Sequence, residues 1–565
     1  MFCKRLLYGF TVPLFGTLTL VPPGSASPSP HAPQNATAEA GMVASAHRLA
    51  SEVGARLLRK GGGAVDAAIA TALALNVVEP NASGIGGGGF MLVRMADGET
   101  ELIDFREKAP AVATPQLFYK EGQLQKQWAV RGGRSVAVPG ALAGFHLALE
   151  RYGKRPWSEV FQGAIGLARD GFPVSENQAA FTASEFDALS AYPATAAVYL
   201  HESKPLEAGQ KVCNPDLAKT FERIAKEGPD VFYRGQIAEA IVRAVTADGG
   251  VLTLEDLATY TPTVRKPVQG TYRGHEILSS PPPSSGGTHL LQILAIMENF
   301  DVQAMGHNSA DTIHTLAEAM KGAFADREAH MADPDFTEVP VAEIIDKDYN
   351  KVVASRIQPD RAASTVRPGS FAASPDSPNT THLCVVDAWG NVVSMTLTIN
   401  HWFGSAITVP GYGFLLNDEM DDFSFAEGSV NAVEGGKRPL SSMSPTIVLK
   451  DNRPVLAVGT PGGIRIITAN TQVIMNVIDF GMTMDEAIEA PRFHSFSSGG
   501  KASALYLEAR IPKAVRQTLE KRGHQIEVKD AYDNYFGGAQ GIQISPDGLL
   551  IGGADSRRDG ACVGY

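Results

Sequence analysis

From Val393 to Asn400 apolar and polar residues alternate without a break: Val393, Met395, Leu397 and Ile399 fall on one face, Ser394, Thr396, Thr398 and Asn400 on the other. A period of two over that length predicts a half-buried strand. Thr380 to Val386 reads as a second strand, and Asp387-Ala388-Trp389-Gly390-Asn391 supplies turn residues for a hairpin loop between them. With Val386 opposite Val392, Thr380 falls opposite Thr398 and the two hydroxyls come within cross-strand range. A slip of one residue would undo that pairing.

Other stretches carry different periods. Gly63 to Val78 is small or apolar all round, as in a helix buried on most sides. It runs into the glycine loop Ser83 to Gly89 and the apolar strand Phe90 to Met95. Trp157 to Thr246 and Leu254 to Tyr260 predict a helical layer. Ser279 to Gly287, with Pro281-Pro282-Pro283 at its centre, ends a strand and hands over to an amphipathic helix, Thr288 to Glu298. On composition alone it could equally be a flexible linker. Ile357 to Pro378 lacks periodicity and predicts an exposed, mobile segment. Phe414 to Asn417, Ile447 to Lys450 and Val455 to Val458 read as strands, and Ile464 to Phe480 as a helix.

Composition narrows the class. The 565 residues are 44% hydrophobic, enough for a sizeable core. Acidic residues exceed basic ones, 61 against 49, for a net charge of -12. With no lysine or arginine block, nucleic acid and anionic membranes are excluded as partners. Lys4 and Arg5 precede the apolar run Leu6 to Val21, and Gly24 and Ala26 offer small residues for cleavage. Residues 1–26 therefore read as a signal peptide, its removal leaving a periplasmic or secreted protein without a membrane anchor. Ser27 to Glu39 reads as a disordered mature terminus. Cys213, Cys384 and Cys562 are odd in number and widely spaced, so neither a disulfide framework nor a metal-binding pair is expected. His307, His314 and His330 lack the spacing of a metal motif and read as helix-face or cap residues. Gly84, Gly86 and Gly89 match a dinucleotide fingerprint, but the order helix, loop, strand is the reverse of what that fingerprint requires. Close backbone packing is the better account, and no cofactor or metal is expected.

Thr380-Thr381 by itself reads first as the start of a strand, where threonine is common, and second as candidate chemistry. A threonine hydroxyl needs a base, and cleavage of the Asn379-Thr380 bond would supply one in the new α-amine, with a pKa of roughly 8. Arg106, among Asp104 and Glu107, reads alone as an ion-pair cluster, and the acidic run Asp418 to Asp422 as a solvated turn. Ser441-Ser442 says little by itself. Thr460-Pro461-Gly462-Gly463 sits between strand and helix, where backbone N–H groups can face an anion; phosphate is the simplest occupant, though no P-loop lysine follows.

Taken together, Asn379-Thr380-Thr381-His382, Asn417 to Ser424, Arg438 to Thr446 and Pro461-Gly462-Gly463 resemble the small subunit of γ-glutamyltranspeptidases, which are N-terminal-nucleophile hydrolases. The similarity extends upstream through Asp104 to Glu107 and Ser279 to Gly287, and downstream to Tyr565. The resemblance implies an α+β fold, a four-layer αββα sandwich. It implies autocatalytic cleavage into a large subunit, 27–379, and a small subunit, 380–565, that remain one domain. By the same resemblance Thr380 attacks, with Thr398 beside it, and Gly462 and Gly463 form the oxyanion hole. Arg106, Ser441 and Ser442 would hold the donor's α-carboxylate, and Asn400, Glu419 and Asp422 its α-ammonium. The donor would be glutathione or another γ-glutamyl compound, the acceptor water or an amino acid or peptide. Two alternatives stay open: a cephalosporin or glutaryl acylase of the same family, and an uncleaved, inactive secreted binding protein. One departure bears on outcome. Many family members carry a long lid here, whereas only thirteen residues, Ser424 to Gly436, separate Phe423 from Lys437. An uncovered site would favour hydrolysis over transfer.

Overall fold

Two seven-stranded antiparallel sheets stack face to face, each covered on its outer side by helices. The computed structural model describes residues 35–367, 380–426 and 428–565. In chain order the sheet strands are β1 (Ala36–Ala38), β2 (Met42–Ser45), β3 (Gly88–Arg94), β4 (Thr100–Asp104), β5 (Thr263–Arg265), β6 (Val268–Tyr272), β7 (His275–Ser279), β8 (Thr381–Val386), β9 (Val392–Thr398), β10 (Thr446–Lys450), β11 (Arg453–Gly459), β12 (Gln540–Ile544), β13 (Leu550–Ala554) and β14 (Ala561–Gly564). The first sheet runs β5-β4-β3-β9-β8-β2-β14 and the second β1-β13-β12-β11-β10-β7-β6. This is the αββα sandwich that the resemblance implies.

Strand alternation builds the layers. Val43, Met91, Ile103, Leu383, Val385, Val393, Met395 and Leu397 face the first helical layer, where α1 (Arg48–Arg59) and α2 (Ala64–Val78) lie. Their neighbours Phe90, Leu92, Leu102, Cys384, Val386 and Val392 face the second sheet and meet Leu278, Ile447, Leu449, Ala457 and Ile542. The outer side of the second sheet packs on α3 (Gly286–Met297), α4 (Ala310–His330) and α5 (Arg465–Ile478).

The hairpin register is as expected: Val386 pairs with Val392 and Thr381 with Leu397, so Thr380 follows in line with Thr398. The expectation of a half-buried β9 needs correction, because every residue from Val392 to Thr398 is buried. Its polar face meets a second sheet rather than water, and Ser394 Oγ accepts from the Thr446 amide at 3.1 Å. Likewise α3 is buried throughout instead of amphipathic, wedged between the second sheet, α4 and α5. Phe414 to Asn417 forms isolated bridges to Gly86 and Thr408, not a strand. The acidic run is a buried 3-10 turn, Glu419–Asp422, rather than a solvated one.

The first glycine loop is close-packed, as expected. A Cβ on Gly86 would lie 2.0 Å from the Leu415 carbonyl oxygen, and one on Gly87 2.0 Å from that of Thr398. Part of the serine- and proline-rich segment Ile357 to Pro378 lies outside the described residues. Its described part is largely exposed yet tied down, with the Ala362 amide donating to Arg522 O at 2.7 Å and that of Val366 to Gly500 O at 3.0 Å. The cysteines Cys213, Cys384 and Cys562 are free thiols.

Candidate active site

Thr380 stands at the open end of β8, on the face that looks toward the second sheet. Its Oγ1 lies 3.5 Å from Thr398 Oγ1, which in turn accepts from the Asn400 amide at 2.8 Å. Asn400 adopts a left-handed backbone (φ 72°) as the chain turns out of β9, and its amide side chain donates to Asp418 O at 3.1 Å. Two residues along β8 from Thr380, His382 faces the same way, bonded to Thr396 Oγ1 at 2.8 Å. Burial pushes its pKa down to about 3, so it is neutral. Gly459 makes room for it: a Cβ there would lie 2.2 Å from the imidazole.

Arg106 follows the end of β4, buried and held on every side of its guanidinium. Nη1 is 2.6 Å from Glu419 Oε2, and Nη2 is 2.5 Å from Asp422 Oδ2 and 3.0 Å from Leu440 O. Nε reaches Pro439 O at 3.3 Å, and Glu107 Oε2 lies 3.5 Å from Nη1. Thus three carboxylates crowd one guanidinium, and the cluster is short of positive charge. Burial drives the Glu107 carboxyl up to about 8 and that of Glu419 well above its usual value, with Arg106 opposing both shifts. Burial works against the Arg106 charge, but Glu419, Asp422 and Glu107 outweigh it and raise its pKa.

The third side comes from the second sheet. Ser441 Oγ accepts from the Met443 amide at 3.1 Å, and Ser442 Oγ accepts from Arg327 Nη2 at 3.1 Å. Arg327, on α4, also donates to Ser285 Oγ at 2.8 Å. The loop Ser279 to Gly287 is an ordered brace rather than a linker: Ser280 and Ser284 both donate to Met443 O, at 2.5 and 2.6 Å. The loop from β11 to α5 requires glycine, since Gly462 (φ 129°) and Gly463 (φ 59°) have backbone conformations that other residues rarely adopt.

Arg106, Thr380, Thr398, Asn400, Asp422, Ser441, Ser442, Met443, Gly463 and Ile466 line a single narrow cleft, nearly filled by its own side chains. Of the ten residues singled out from the sequence, eight meet there. Glu419 lies behind Arg106, and Gly462 precedes Gly463 in its loop. Roomier hollows are lined by Arg273 and Asp479 and by Tyr233 and Tyr260, and neither includes a residue of the β8–β9 hairpin.

Sequence reasoning missed the residues behind Thr380. Arg558 Nη1 donates to Thr380 O at 2.8 Å and lies 3.2 Å from Glu79 Oε1, while Thr381 Oγ1 donates to Glu79 Oε2 at 2.5 Å. No motif marks Arg558 or Glu79. Glu79 stands out only as a charge that ends the apolar run to Val78, and Arg558, within the charged run Asp555 to Asp559, carries no such signal. Among the described residues one group, His314, Glu318 and His524, has donor atoms close enough for a metal. These atoms already serve one another: His314 Nδ1 is 2.8 Å from His524 Nε2, and Glu318 takes the Lys321 ammonium at 2.7 Å.

The γ-glutamyltranspeptidase family model matches residues 50–565. The glutathione hydrolase proenzyme of Escherichia coli is 43% identical over 543 residues, covering 94% of this chain and 92% of that protein. The acylase ACY 1 proenzyme of a Pseudomonas species is 42% identical, covering 94% of each. Among solved structures, cephalosporin acylase from Bacillus halodurans superposes with a TM-score of 0.87 at 30% identity, over 97% of this chain and 99% of that one. With a family match that spans most of its length, the chain belongs to the γ-glutamyltranspeptidase family of enzymes.

Proposed function

We propose that the protein is a γ-glutamyl hydrolase and transferase that attacks its donor through Thr380. Residues 1–26 are the signal peptide, and the mature chain works in the periplasm or outside the cell. Autocatalytic cleavage before Thr380 yields subunits 27–379 and 380–565 and frees the α-amine that takes the hydroxyl proton. Thr380 Oγ1 then adds to the γ-carbonyl of glutathione or a related amide, and the Gly462 and Gly463 amides receive the oxyanion. Collapse expels the amine and leaves a γ-glutamyl ester on Thr380, which water or an amino acid or peptide amine resolves.

The observation that carries this reading is the pairing of Arg106 with Glu419 and Asp422 at the cleft. A donor with an α-carboxylate and an α-ammonium can exchange these ion pairs rather than break them. Its carboxylate takes the guanidinium fork with help from Ser441 and Ser442, and its ammonium takes the released Glu419 and Asp422 with the Asn400 carbonyl. A glutaryl group brings the carboxylate alone and leaves Glu419 and Asp422 with no cation to replace the guanidinium. The competing reading is a glutaryl or cephalosporin acylase, favoured by the similarity to the acylases.

One assay separates them. Purified protein is offered γ-glutamyl anilide and glutaryl anilide side by side, and the smaller fragment is sequenced from its N-terminus. We expect cleavage of the γ-glutamyl compound, a fragment beginning Thr-Thr-His-Leu, and an uncut, inactive Thr380→Ala variant. Preference for the glutaryl compound, or full activity of an intact wild-type chain, sinks the proposal.

A further inference from the structure

Taking Thr380 as the nucleophile, as in the function proposed above, we infer that Arg558 and Glu79 are a positioning pair that holds the cut end of β8 in register for attack. Cleavage removes the covalent tether on one side of Thr380. The β8 ladder does not replace it, because pairing with β9 begins at Thr381 and pairing with β2 only at Leu383. Strand ends with so little pairing fray. A nucleophile displaced by even an ångström loses much of its effectiveness.

The fraying end is instead caught by one ion pair. Arg558 holds the Thr380 carbonyl at 2.8 Å, and Glu79 holds the Thr381 hydroxyl at 2.5 Å while sitting 3.2 Å from Arg558. Both charges are largely buried, with relative exposures of 5% and 8%. The arginine is itself immobilised. Gly538 leaves its Cδ space that a Cβ would invade at 2.6 Å, and the Trp402 ring lies 4.9 Å away, stacked in turn on Phe181. Buried ion pairs contribute little net stability compared with apolar packing. What this pair supplies is a fixed donor and a fixed acceptor on the two residues that follow the cut. Glu79, at the end of α2, comes from before the cut and Arg558 from after it, so the clamp survives processing.

Arg558 reaches no reacting atom and acts only through the Thr380 carbonyl, so its loss should change turnover and not donor affinity. Full-length Arg558→Met, Arg558→Lys and Thr381→Val proteins are compared with wild type for autocleavage on denaturing gels and for kcat and KM with γ-glutamyl anilide. We expect Arg558→Met to cleave slowly and to lose kcat on the order of 100-fold, the loss of a charged hydrogen bond, with KM within about twofold. Arg558→Lys should recover part of both rates, and Thr381→Val, nearly isosteric, should lose kcat about tenfold. Wild-type cleavage and kcat in both Arg558→Met and Thr381→Val, or a raised KM with unchanged kcat, overturns the inference. If Arg558→Met does not fold, Thr381→Val decides alone. Cleavage needs no donor, so a protein inert toward γ-glutamyl anilide defeats the proposed function while its variants still test the clamp.

Discussion

At the scale of single residues, Arg106 shows how much depends on fork geometry rather than charge. Its two terminal nitrogens serve different carboxylates, Glu419 and Asp422, with Glu107 beside the first, while the Pro439 and Leu440 carbonyls take Nε and the second Nη2 donor. Arg106→Lys keeps the charge and loses the fork, so kcat/KM for γ-glutamyl anilide should fall by about 2–3 kcal/mol with autocleavage intact. An unchanged kcat/KM would remove Arg106 from the carboxylate subsite. Glu107 gives a pH prediction. Burial raises its folded pKa to about 8, above the unfolded value, so its contribution is favourable below the unfolded pKa and is lost as pH climbs through 8. Glu107→Gln should therefore melt with wild type at pH 5 and above it at pH 9; equal melting at both would show that Glu107 is not the buried acid that costs stability. Some of this site was legible beforehand and some was not. Thr380 and Thr398 lie 18 positions apart on one hairpin, within reach of a period-two argument. Arg558 meets Thr380 across 178 positions and Glu79 meets Thr381 across 302, and no local pattern encodes such contacts.

At the scale of elements, two of the expectations that failed did so for one reason. Alternation in β9 and mixed polarity in α3 predict a wet face, yet both elements are covered on all sides. In a four-layer sandwich the polar face of an inner strand meets another sheet, and here serine, threonine and histidine satisfy one another between the sheets. The short connection after the acidic turn has its own consequence. Ser424 bridges back to Ala432, and Asn431 donates to Asp422 O at 2.7 Å and accepts from the Leu440 amide at 3.1 Å. It is folded on itself, and none of its described residues lines the cleft. A covering lid excludes water and commits the bound group to its acceptor. Without one, hydrolysis should dominate at neutral pH. With glutamine as donor and glycylglycine as acceptor, a product mixture rich in γ-glutamyl-glycylglycine at low millimolar acceptor would contradict this.

At the scale of the whole molecule, the two sides of the proposed cut are interleaved. In the first sheet β8 and β9, from after the cut, sit between β3 and β2, from before it. In the second, β7 pairs with β10 across the same divide, and β1 with β13. Lifting out the smaller fragment would leave a gap two strands wide in the first sheet and expose the apolar residues that face those strands. The fragments should therefore run as one species in native size exclusion and part only in denaturant. Separation of folded fragments under native conditions would disprove this. The same weave sets an order of events. Neither fragment contains a contiguous first sheet, so the chain has to finish folding before it is cut, while the backbone still keeps its halves at high effective concentration. Afterwards that advantage is gone. A molecule that unfolds late in life must find its other half by diffusion, with long unpaired strand edges open to aggregation in the meantime. Its working lifetime is then governed by how slowly it first opens rather than by any balance between folded and unfolded forms.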